Sequence, residues 1–205
     1  MSQLNKRAFL TGVGALAAAS VAAQTSATPP ATVRVVLQTA LGAITVELAT
    51  AAAPITAANF LRYVDAGRFD GAGFYRAVKT TDKPLTGLLQ GGLASAAAKP
   101  FPSIAHESTA QTGLRHRDGT ISMARYDPGT AASEFFVCVG DQPSLDADPT
   151  LPGDNAGFAA FGRIVAGMDV ARAILRAPIS PTAGEGTMKG QMLDPVVAIT
   201  TARRG

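Results

Sequence analysis

The chain has 205 residues, of which 47% are hydrophobic and only 16% charged. That balance excludes a disordered chain, and the length allows one domain with a proper core. The formal charge of +3 rests partly on Lys6 and Arg7, which precede every acid, so the remainder is nearly neutral and no nucleic-acid partner is expected.

Residues 1–24 have the three parts of a secretory signal. Lys6 and Arg7 give a positive start, residues 9–19 are apolar but too short to span a bilayer, and residues 20–24 offer small-residue cleavage points. The run Asn5-Lys6-Arg7-Ala8-Phe9-Leu10 also resembles a twin-arginine signal with Lys in place of the first Arg. The expectation is export to the periplasm, with no stable membrane insertion once the signal is removed. Residues 25–31 read as a flexible lead-in and 32–205 as a single domain, acting as a monomer. Cys138 is the one cysteine, so no intramolecular disulfide forms; within Phe135-Phe136-Val137-Cys138-Val139 it reads as a small hydrophobe.

Residues 33–38 are β-branched and apolar, and Ile44, Val46 and Leu48 alternate with Ala43, Thr45 and Glu47, which predicts a hairpin of two strands. A helix follows, started by Pro54 and Thr56, striped by Phe60, Leu61 and Val64, and stopped by Gly67. Short strands are predicted at 73–78, 85–90, 120–125, 134–139, 159–165 and 196–201, with a second helix over 168–176. Many short strands and two helices favour an all-β barrel or sandwich.

Five blocks then occur in order: Phe69-Asp70-Gly71-Ala72-Gly73-Phe74-Tyr75-Arg76; Leu88-Leu89-Gln90-Gly91-Gly92; Gly119-Thr120-Ile121-Ser122-Met123-Ala124-Arg125; Ser133-Glu134-Phe135-Phe136-Val137; and Phe158-Ala159-Ala160-Phe161-Gly162-Arg163-Ile164. Together they resemble the cyclophilins, from residue 32 to the C-terminus. The resemblance implies a mainly β fold, a closed eight-stranded antiparallel β-barrel capped by two α-helices, with its groove on the outer face. It also implies peptidyl-prolyl cis-trans isomerase activity on proline-containing polypeptides, with no cofactor and no metal.

Turning an X-Pro bond passes through a twisted amide whose prolyl nitrogen regains a lone pair. A fixed cation that donates to this nitrogen favours the twisted state over either planar one. By position in the matched blocks, Arg76 is that cation, Gln90 holds it, and Phe136 floors the proline pocket. Leu88, Ala124, Arg125, Glu134, Leu145 and Phe158 are the remaining substrate-binding residues that the resemblance implies. Out of context, an Arg in an apolar strand is an ordinary snorkelling surface residue; the flanking block is what reverses that reading.

The chain departs from the family pattern at several of these positions. Gly87 stands where a Phe is usual, which would remove an aromatic wall. Glu134 replaces Gln, Arg125 replaces Asn, and Phe158 replaces His. Glu134 could pair with Arg125 across the groove; unpaired, it could draw Arg76 away from substrate. Gly87 and Glu134 therefore support an alternative, a catalytically weak proline-binding chaperone or scaffold module on the same fold. His106 and His116 lie in polar, turn-rich sequence without metal-ligand spacing, and Arg115-His116-Arg117 reads as an exposed basic turn. The acid-rich residues 141–154 read as a solvated loop bordering the groove.

Overall fold

The computed structural model describes residues 32–82 and 84–205; the expected signal and lead-in lie outside the described residues. In β1 (Val33–Thr39) and β2 (Gly42–Leu48), Val35, Leu37, Ile44, Val46 and Leu48 are fully buried while Arg34, Gln38 and Ala43 face solvent. This period of two fixes the register, because a one-residue slip would turn every buried aliphatic outward. Thr39 closes the turn: its hydroxyl accepts from the Leu41 N–H (3.1 Å) and donates to the Gly42 carbonyl (2.7 Å).

The later strands are β3 (Gly73–Asp82), β4 (Leu85–Gly92), β5 (Thr120–Met123), β6 (Phe135–Val139), β7 (Ala159–Ala166), β8 (Ile179–Ser180) and β9 (Met192–Arg204). All pair antiparallel in the order β1-β2-β7-β5-β6-β4-β3-β9, and β9 pairs back onto β1. Eight strands thus close into a barrel with no free edge in the ring. β8 lies outside that ring, joined to the start of β9. The lumen is filled by Phe74, Leu89, Ile121, Met123, Phe135, Val137, Val139, Phe161 and Ile199. A packed interior leaves only the outer face for a ligand.

Helix α1 (Pro54–Asp65) closes the end where β6 and β7 begin. Its Phe60 ring sits 5.4 Å from Phe135 and 5.3 Å from Phe161. No neighbouring side chain caps its first turn. The buried carboxylate of Glu107 does so from a distant loop, accepting from the N–H groups of Ile55 (3.1 Å) and Thr56 (2.7 Å) and from the Thr56 hydroxyl (2.7 Å). An anion at the positive end of a helix, holding its unpaired N–H groups, is favourable on both counts. Helix α3 (Met168–Arg176) closes the other end, where β2 begins, through Ala171, Ile174 and Leu175. Between them α2 (Thr109–Thr112) is a single turn with a Ser108–Gln111 capping box.

Strand β3 runs to Asp82, past its expected end at 78, the short β8 was not expected, and two further elements differ for local reasons. The single turn α2 is too short for a periodic pattern to announce. Strand β9 starts at Met192, ahead of the expected start at 196, because Pro195 reads as a breaker. Its ladder runs past that proline, pairing Arg76 with Met192 and Phe74 with Val197 across an irregularity.

Gly87 serves strand contact. It is the Cα partner of Lys79, and a Cβ built on it would stand 2.0 Å from the Val78 carbonyl oxygen. The space is filled by the backbone of β3, so glycine is what lets the two strands meet.

Candidate active site

Register alone assembles the centre. Arg76 on β3 is the Cα partner of Gln90 on β4, Gln90 of Phe136 on β6, Phe136 of Ser122 on β5, and Ser122 of Ala160 on β7. These residues form one row across five strands. None of them belongs to the hydrophobic core, whereas Phe135 and Val137, next to Phe136 in sequence, do. The row therefore lies on the outside of the barrel.

At one end of the row the Arg76 guanidinium is fixed on two sides. Its Nη1 donates to Gln90 Oε1 (2.9 Å), while Nε and Nη2 both donate to Gln191 Oε1 (2.9 and 2.7 Å). One N–H on each terminal nitrogen is left over from the guanidinium's five donors. Burial pushes the Arg76 pKa down, but an arginine has ample margin to stay charged. Next to Arg76 in the chain, the Tyr75 phenol is pushed well above its ordinary pKa by burial and then by the charge of Glu134.

Beside this cation lies an apolar socket. Phe136 is 5% exposed and meets Phe158 edge-on at 5.4 Å. The Phe158 N–H donates to the Leu145 carbonyl (2.9 Å), which brings Leu145 to the same wall. Leu88 is two residues from Gln90 on the same strand face and remains half-buried. Ala124 extends the β5–β6 ladder by donating its N–H to the Glu134 carbonyl (2.8 Å).

Glu134 and Arg125 do not pair with each other. The Glu134 carboxylate accepts from the Tyr75 hydroxyl (2.7 Å), the Ser133 hydroxyl (2.9 Å) and the N–H groups of Leu93 (2.9 Å) and Ala94 (3.1 Å). With four donors of its own, it does not draw on Arg76. The Arg125 side chain is only 4% exposed. It is held by Asp154 (2.6 Å), by the carbonyls of Tyr126 and Gly157, and over the Phe158 ring at 5.2 Å. Arg125 thus supports the rim of the socket from behind.

His116 corrects an expectation. The sequence around it reads as an exposed turn, yet it is 1% exposed and stacks on Phe136 at 5.9 Å with 15° between the planes. Its Nδ1 lies 2.7 Å from Asp146 Oδ1 and its Nε2 3.0 Å from Ser122 Oγ. Asp146 belongs to the loop expected to be solvated, but its carboxylate turns inward to this ring and to the His116 N–H (3.0 Å). Arg115 and Arg117 on either side stay exposed. Burial is the leading influence on the imidazole and lowers its pKa despite Asp146, so it is neutral at pH 7. The neutral ring then donates from Nδ1 to Asp146 and accepts the Ser122 hydroxyl at Nε2.

A pH dependence follows. Below the ordinary histidine value of 6.5, the unfolded chain takes up a proton that the folded chain refuses, so stability falls as pH drops towards the lowered folded pKa. The expected slope in that window is up to about 1.4 kcal/mol per pH unit. Urea midpoints at pH 7 and pH 5.5 should show it in the wild type and show it reduced in His116→Gln. An identical slope in both proteins would remove His116 as its source.

Cys138, the Cα partner of Leu88, is fully buried, with its thiol pushed up to about 12 mainly by burial. Such a thiol packs and does not react. Sequence reasoning missed Gln191, Tyr75, His116, Asp146 and Asp154. Of these, only Tyr75 lies inside a motif block.

Residues 34–202 match the family described as cyclophilin type peptidyl-prolyl cis-trans isomerase/CLD. A peptidyl-prolyl cis-trans isomerase of Streptomyces antibioticus is 37% identical over 140 residues, covering 67% of this chain and 80% of that protein. One from Acinetobacter baylyi is 36% identical over 146 residues, covering 70% and 72%. In structure, the chain resembles a cyclophilin type isomerase of Cryptosporidium parvum, crystallised in the presence of the dipeptide Ala-Pro. The TM-score is 0.66 at 19% identity, covering 84% of this chain and 98% of that one, a likeness of fold. With the barrel, the outer-face row and these relatives in agreement, the chain belongs to the cyclophilin-type peptidyl-prolyl cis-trans isomerases.

Proposed function

We propose that the row from Arg76 to Phe136 is the catalytic groove, and that Arg76 accelerates X-Pro rotation by donating to the prolyl nitrogen as the amide twists. The observation that supports this most is the register itself, which sets a half-buried cation beside an apolar socket on a rigid sheet. The proline ring enters the socket of Phe136, Phe158, Leu145 and Leu88. The free N–H groups of Arg76 then meet the nitrogen, whose lone pair is available only in the twisted state. Donation is stronger there than in either planar state, which is the condition for a rate effect. The chain forms no covalent bond to substrate, and no proton needs to move.

The dipeptide named with the Cryptosporidium parvum structure supports proline-containing polypeptides as the substrate class here too. Residues 1–24 support unfolded, exported polypeptides as the clients, and N-terminal sequencing of the chain from a periplasmic fraction tests the export. Neither feature that favours a merely binding module bears on the groove in the folded chain: Glu134 is fully engaged elsewhere, and Gly87 serves strand contact. Exchange spectroscopy on a short Ala-Pro peptide tests the activity. Cis–trans cross-peaks should build up at catalytic amounts of enzyme; peptide shifts without faster exchange would favour the binding module.

A further inference from the structure

The partner that holds most of Arg76 comes from the opposite end of the sequence. Gln191 Oε1 takes both Nε (2.9 Å) and Nη2 (2.7 Å), the side of a guanidinium that a carboxylate ordinarily occupies. Resting on the reading of Arg76 as the catalytic cation, we propose that Gln191 is a positioning residue, whose uncharged carboxamide fixes the guanidinium without neutralising it.

Three observations converge on this role. First, Gln191 is itself anchored. Its carbonyl accepts from the Ala77 N–H (2.9 Å), next to Arg76, and its N–H donates to the Met188 carbonyl (3.1 Å). The turns leading to it are closed by Gly190 N–H to Ala183 carbonyl (2.9 Å) and Ala183 N–H to Ser180 hydroxyl (3.1 Å). The short β8–β9 pairing, Ile179 with Leu193 and Ser180 with Met192, ties down the next residues. The whole segment after α3 thus delivers one amide oxygen to a set place.

Second, both groups that hold the guanidinium, Gln90 and Gln191, are neutral. Arg76 takes part in none of the ion pairs among the described residues. Third, Glu134, whose carboxylate takes the hydroxyl of Tyr75 beside Arg76, is occupied by four donors, none of them Arg76. A carboxylate at position 191 would hold the same two N–H groups at least as firmly. It would also cancel much of the positive potential that the twisted amide nitrogen meets, in a half-buried site where charge is poorly screened. Holding and discharging are therefore separable, and this site does only the first.

Two near-isosteric variants separate them. Gln191→Met keeps the shape and removes the acceptor. Gln191→Glu keeps the acceptor and adds the charge. In Gln191→Met, kcat should fall about tenfold with KM changed by no more than about twofold, since orientation and not binding is lost. Its Arg76 Nε–H signal, slowed in the wild type by the Gln191 bond, should exchange faster with solvent. Gln191→Glu should keep that slow Nε–H signal, lose about tenfold or more in kcat at pH 7, and recover only well below the ordinary glutamate value of about 4.3, since the guanidinium in contact holds the carboxyl pKa down. The wild type should show no such acid-side rise.

Arg76→Ala is run in the same series. If it is inactive while Gln191→Met turns over like the wild type, the inference about Gln191 is wrong and the reading of Arg76 stands. If Gln191→Glu matches the wild type at pH 7, charge neutrality at 191 is refuted. That outcome is decided by kcat and the slow Nε–H signal at pH 7, so it holds even where acid unfolds the variant. If Arg76→Ala is itself fully active, both ideas fall together.

Discussion

Gly87→Phe, the change that would restore the aromatic residue usual at this place in the family, is expected to break the barrel wall and not to rebuild a pocket. A Cβ at position 87 would stand 2.0 Å from the Val78 carbonyl oxygen and 3.1 Å from Lys79 Cα, both backbone atoms that no rotamer can move. Relief requires β3 and β4 to part, in the ladder that also carries Arg76 and Gln90. A loss of about 3 kcal/mol or more is expected, at the upper end of overpacking costs because the obstacle is main chain. Even Gly87→Ala should lose part of it. The shift in urea midpoint measures the effect. An unchanged midpoint with tighter binding of an Ala-Pro peptide would mean that position 87 faces the groove after all.

The second large effect is on rate. Arg76→Ala should lower kcat/KM by about two to three orders of magnitude, the usual cost of deleting a preorganised donor aimed at developing electron density. Arg76→Lys should recover little of this. The two glutamine oxygens are set around a planar fork, and an ammonium offers one point of charge that cannot satisfy both and still face the substrate. Stability should change modestly in both variants, because Arg76 lies outside the hydrophobic core.

How far the sequence foretold this site depends on the range of the interactions involved. Period-two alternation along single strands puts Leu88 and Gln90 on one face of β4, and on β6 it sets Phe135, Val137 and Val139 opposite Phe136; the barrel turns those three into the core. The motif blocks supplied Arg76, Gln90 and Phe136, which cross-strand register then brings into one row. What escaped are partners whose meeting depends on closure of the barrel or on long loops. Gln191 is 115 residues from Arg76 and follows a turn-rich stretch with no periodicity. Asp146 is 30 residues from His116, and nothing local tells an inward imidazole from an outward one between two arginines. Glu107 reaches back 51 residues to cap α1. Glu134 and Gly87 were visible as departures from a pattern, but their meaning depended on neighbours: four donors around one, a carbonyl against the other.

On the proposed mechanism, Arg76 lowers the barrier and does more than hold the peptide. The direct test is exchange spectroscopy at saturating Ala-Pro peptide, with the dissociation constant measured alongside, for the wild type and Arg76→Ala. Comparing the proteins at equal occupancy removes binding from the comparison and leaves the rate of turning. A dissociation constant within a few-fold, with on-enzyme exchange slower by about 100-fold, is the predicted result. Equal exchange rates at equal occupancy would contradict it and leave the socket of Phe136, Phe158 and Leu145 as the whole of the machinery.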